Sequence, residues 1–80
     1  MKYYVKDQGM TAKDAYEFEA LWSGPRFNAE CAAENFYNRH GGGECEWPLT
    51  VTLVYDDGQE IDVTVDREYS PTFHAIGVKQ

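Results

Sequence analysis

Eighty residues carrying 14 acids against 7 bases, with a net charge of −7 and a hydrophobic fraction of 42%, describe one small acidic folded domain over residues 1–80. That excess of carboxylates excludes direct binding of nucleic acid or of an anionic membrane, because both require basic surface. No apolar run approaches membrane-spanning length and Met1–Lys6 lacks the apolar centre of a signal peptide, so the expected compartment is the cytosol.

Lys2–Lys6 reads as a short strand with Tyr3 and Val5 on one face and Lys2, Tyr4 and Lys6 on the other; Asp7-Gln8-Gly9 ends it. The next stretch, Thr11–Trp22, fits two patterns. Thr11 to Asp14 matches a helix capping box, and Ala15, Phe18 and Trp22 fit a helical face. Tyr16, Phe18 and Ala20 also alternate with Glu17, Glu19 and Leu21, and the aromatic content favours a turn over Thr11–Asp14 followed by a strand over Ala15–Leu21.

Ser23-Gly24-Pro25 punctuates the chain with a capping residue and a proline suited to a first helical turn. A helix then runs to about His40, with Ala29, Ala32, Ala33, Phe36 and His40 on its inner stripe and Glu30, Glu34, Asn35, Asn38 and Arg39 toward solvent. Glu30 and Glu34 form an unfavourable i, i+4 pair. Gly41-Gly42-Gly43 stops the helix.

Trp47–Asp66 is the clearest signal in the chain. Leu49, Val51, Leu53 and Tyr55 alternate with Thr50, Thr52 and Val54; Asp57-Gly58 supplies a tight turn; Ile61, Val63 and Val65 resume the period of two. The other face of the second strand carries Glu60, Asp62, Thr64 and Asp66. Thr72–Val78 has the composition of a last edge strand, with Gly77 at a possible bulge. The fold class is therefore α+β: an antiparallel sheet of four to five strands in the order ββαββ, with one long helix packed on one face. Its expected core is Tyr3, Val5, Phe18, Ala32, Phe36, Leu49, Val51, Leu53, Ile61, Val63 and Val65.

Catalytic and metal chemistry has little footing. Cys31, Cys45, His40 and His74 hold metal-ligating atoms, but their closest pair, His40 and Cys45, straddles a triple glycine and forms no zinc motif. Cys31 and His40 are about 13 Å apart along one helix and cannot form a nucleophile–base pair. Cys45 with His74 is open to geometry and has no companion motif. Asp56–Asp62 lacks the spacing of a calcium loop. No cofactor is expected.

Charge is where the chain is distinctive. Between His40 and Asp66 there is no Lys or Arg, while Glu44, Glu46, Asp56, Asp57, Glu60, Asp62 and Asp66 contribute seven negative charges. Alternate residues of a strand repeat every 6.5–7 Å or so, an interval close to that of phosphates along a nucleic-acid strand. Such a face suits a basic protein groove built for nucleic acid.

An acidic chain of this length with a sheet-plus-helix layout resembles the phage and prophage inhibitors called anti-CRISPR proteins. Glu46-Trp47-Pro48-Leu49, Tyr55-Asp56-Asp57-Gly58 and Asp66-Arg67-Glu68-Tyr69-Ser70-Pro71-Thr72-Phe73 are also similar to stretches of small proteins carried by proteobacteria and their phages. The resemblance implies a non-enzymatic inhibitor acting in the cytoplasm of a host bacterium as a DNA mimic. Its partner would be a basic nucleic-acid-binding subunit of a CRISPR effector complex. Asp56, Asp57, Glu60, Asp62 and Asp66 would make the contact, with Glu44 and Glu46 at its margin and Tyr55 or Tyr69 as aromatic anchors. The alternative expectation is a structural or regulatory domain that dimerises by edge-strand pairing through Thr72–Val78.

Overall fold

A computed structural model describes residues 1–20, 24–42, 45–67 and 73–79. Strand β1 (Lys2–Val5) leads through a 3₁₀ turn at Lys6–Gln8 to a second one at Ala12–Asp14, where Thr11 and Asp14 complete the reciprocal capping box. β2 (Tyr16–Glu17) and helix α1 (Pro25–Arg39) follow, then β3 (Leu49–Val54), β4 (Glu60–Arg67) and β5 (Phe73–Lys79). The five strands form one sheet in the order β2-β1-β3-β4-β5, antiparallel at every pair. The α+β expectation holds.

Period-two patterning makes this a two-layer molecule. Leu49, Val51 and Leu53 stand opposite Val65, Val63 and Ile61, so both strands of the hairpin send their apolar rows to one face. Helix α1 covers that face, with Ala29, Ala32, Ala33 and Phe36 buried against the sheet. Small alanines let the helix backbone sit close, and Phe36 fills the deeper space beside Tyr3. Burial pushes the Tyr3 hydroxyl well above its ordinary pKa, with the neighbouring Tyr16 adding to the effect; it donates to Asn35 Oδ1 at 2.8 Å. The hairpin turn places Gly58 at φ 89°, a left-handed conformation that glycine adopts without a Cβ clash.

Four expectations are corrected. The strand proposed for Ala15–Leu21 contracts to Tyr16–Glu17, because Phe18 N–H reaches the Met1 carbonyl and the ladder stops there; Leu21 lies outside the described residues. Phe18 is half-buried against the core instead of within it. His40 is exposed, its ring stacked on Tyr16 at 3.6 Å between centroids. Glu30 does not face solvent: its carboxylate accepts the Ala75 N–H at 2.8 Å, and Arg26 donates to the Ala75 carbonyl at 3.3 Å. The core also takes in Phe73 and Ala75 of β5, which sequence periodicity left out.

Candidate functional site: the open face of the sheet

The side of the sheet away from α1 has no second layer among the described residues. Register fixes what it displays. One row runs Lys2–Val54–Glu60 across β1, β3 and β4, and the next runs Tyr4–Thr52–Asp62 across the same strands. Thr64 and Asp66 continue the face along β4. From Glu60 to Asp66 the carboxylates span about 20 Å at the strand's rise.

Within this surface lies a polar network that the charge pattern did not reveal. Thr52 is fully buried although it is on the open face, and its hydroxyl donates to Asp62 Oδ1 at 2.7 Å. Lys6 Nζ pairs with the same carboxylate at 3.2 and 3.3 Å. Tyr4, also buried, donates its hydroxyl to Glu60 Oε1 at 2.5 Å. That hydrogen bond, helped by burial and by the nearby Glu60 charge, pushes the Tyr4 hydroxyl up to about 12.

The structure therefore sorts the seven acids. Asp56, Asp57 and Glu60 are exposed together at the hairpin end. Asp62 belongs to the braced centre, compensated by Lys6 and Thr52. Asp66 is half-buried at the far end of β4, and Glu46 is exposed on the segment leading into that end of β3. Glu44 lies outside the described residues. Asp57 accepts the Gln59 N–H and Asp66 the Arg67 N–H, so both carboxylates are oriented by backbone. Tyr55 is half-buried against the core, and Tyr69 lies outside the described residues.

Elsewhere the chemistry is sparse. Cys31 and Cys45 are free thiols, and Cys45 Sγ sits 3.8 Å from the Gly41 carbonyl. Among the described residues no three His, Cys, Asp or Glu side chains gather as metal ligands, and no helix is long and apolar enough to cross a membrane. Comparison with family models, with curated proteins and with solved structures finds no match for this chain.

Proposed function

We propose that this domain is a non-catalytic inhibitor of the anti-CRISPR type, which presents the hairpin end of its open face to a basic, nucleic-acid-binding protein surface of a bacterial defence complex. The observation that carries the reading is the exposed group Asp56, Asp57 and Glu60, held on a rigid hairpin whose apolar rows are locked under α1. Asp66 extends the negative surface at the other end of β4. Asp62 is engaged by Lys6 and Thr52 at the centre of the face, so the contact is made by the ends of the array.

The braced centre decides how the test is built. Reversing Asp62 would remove the carboxylate that accepts from Thr52 and set a lysine beside Lys6, so loss of binding would report a damaged face. Asp56→Lys with Asp57→Asn and Asp66→Asn removes charge while the amides keep the acceptors that orient the turn and the strand end. Assembled CRISPR effector complexes are challenged with target duplex, with and without the domain, at low and high salt. The wild type displaces the duplex at low salt and loses potency as salt rises, while the triple variant, folded, leaves the duplex bound. A triple variant as potent as the wild type removes the acidic surface from the mechanism, and a wild type without effect on any such complex ends the inhibitor reading.

Dimerisation through the β5 edge is the less favoured reading, because the Ala75 N–H and C=O that a second strand would use are already bonded to Glu30 and Arg26.

A further inference from the structure

Strand β5 is the last in the sheet, and its composition, Phe73-His74-Ala75-Ile76-Gly77-Val78, is that of a strand able to pair again. Ile76 and Val78 are 52% and 39% exposed, so apolar surface flanks the edge. Ala75 pairs with Val65 on β4, yet both its backbone polar groups bond to side chains of α1, which places them on the outer side of the strand. Glu30 Oε2 accepts the N–H at 2.8 Å and Arg26 Nη2 donates to the carbonyl at 3.3 Å. Arg26 and Glu30 are four apart on α1, one turn above the other. The acid thus meets the donor and the base meets the acceptor of one residue, as the backbone of an incoming strand would.

A second feature acts on the same edge. The β4–β5 register slips between Thr64 and Val65, leaving Ile76 without a partner on β4. A slipped register limits a new ladder to the few residues around Ala75, which is where Arg26 and Glu30 bind.

We propose that Arg26 and Glu30 form a guard that holds the β5 edge closed against a second copy of this chain, and that removing the guard converts a monomer into an edge-paired dimer. The inference is independent of the acidic-face reading, since it concerns a different strand and a different side of the molecule. The occupant is a second copy because two β5 edges, each with outward Ala75 groups and exposed Ile76 and Val78, are self-complementary under a two-fold axis.

The test is sedimentation of the full chain over a wide concentration range, with circular dichroism confirming the fold. The wild type stays monomeric. The Arg26→Ala/Glu30→Ala variant gains mass with concentration toward twice the monomer, and adding Ala75→Pro, which removes the N–H, abolishes the gain. A folded double variant that stays monomeric overturns the proposal, as does a wild type that already associates through Ala75. Should the double variant not fold, amide exchange in Glu30→Ala decides. Ala75 exchange faster than in the wild type by about tenfold or more at low concentration, slowing as concentration rises, supports the guard. Exchange equal to the wild type at every concentration overturns it.

Discussion

At the scale of single residues, the open face is governed by Thr52, a hydroxyl buried on the side of the sheet that patterning assigns to solvent. Its environment explains Asp62. Asp62→Ala takes away the carboxylate that accepts from the buried hydroxyl at 2.7 Å and costs about 1–3 kcal/mol, whereas Thr52→Val removes the donor in nearly the same shape and costs about 1 kcal/mol or less. Urea unfolding of both variants tests the order, and equal losses would remove Thr52 from the network. Tyr4 gives the face a pH signature. Its hydroxyl titrates near 10.0 in the unfolded chain and about 12 when folded. Between those values the unfolded state binds fewer protons than the native one, so stability falls as pH rises through that window and is fully present below it. Tyr4→Phe flattens that fall only in part, because burial shifts Tyr3 the same way. Unfolding midpoints from pH 9 to 12 in the two proteins provide the measurement. The acids themselves were readable from spacing. Their pairing with Lys6 and Tyr4 was not, because those partners lie 56 residues away in sequence, and the bond from Thr52 depends on a hairpin register that alternation does not specify.

At the scale of elements, legibility followed the number of local signals that agree. The hairpin had alternation on both strands and an Asp-Gly turn, and β3 and β4 form as expected, with Asp57 also bonding Gln59 N–H across the turn. Helix α1 had a proline at its first turn and glycines after its last, and runs Pro25–Arg39. β2 had only an aromatic alternation, and a strand lasts only as long as its neighbour offers backbone groups. The triple glycine has a role that helix termination alone does not explain. A Cβ on Gly42 would lie 2.8 Å from the Tyr37 Cα and 2.9 Å from Phe36 Cδ2, and Gly42 also accepts the Trp47 indole N–H at 3.0 Å. Gly42→Ala must therefore push the loop off the helix end and loosen Trp47, which packs on Phe73. The expected cost is about 1–3 kcal/mol. Gly41→Ala meets open space and pays only for its φ of 78°, about 1 kcal/mol. Thermal unfolding of the pair should rank Gly42 first; the reverse order would mean the loop can move away freely.

At the scale of the whole molecule, size and charge constrain how the open face can work. With extents of 34 × 23 × 21 Å, the largest face the domain offers is on the order of 800 Å², about one side of a standard protein interface. A partner filling that area covers Lys2 and Lys6 along with the acids, so attraction depends on the summed field more than on any single carboxylate. The net charge of −7 also acts on the domain alone, where like charges repel across a compact body. Added salt screens both effects, with opposite consequences. Self-repulsion relaxes, so the isolated domain should melt a few degrees higher in about 0.3 M salt than in about 0.01 M. Attraction to a basic partner weakens, so affinity falls over the same range. Melting curves and binding isotherms taken in matched buffers test the pair of signs together. Affinity that holds steady while the melting point climbs would place the contact on apolar surface such as Ile76 and Val78, and would move the binding site from the hairpin end to the β5 edge.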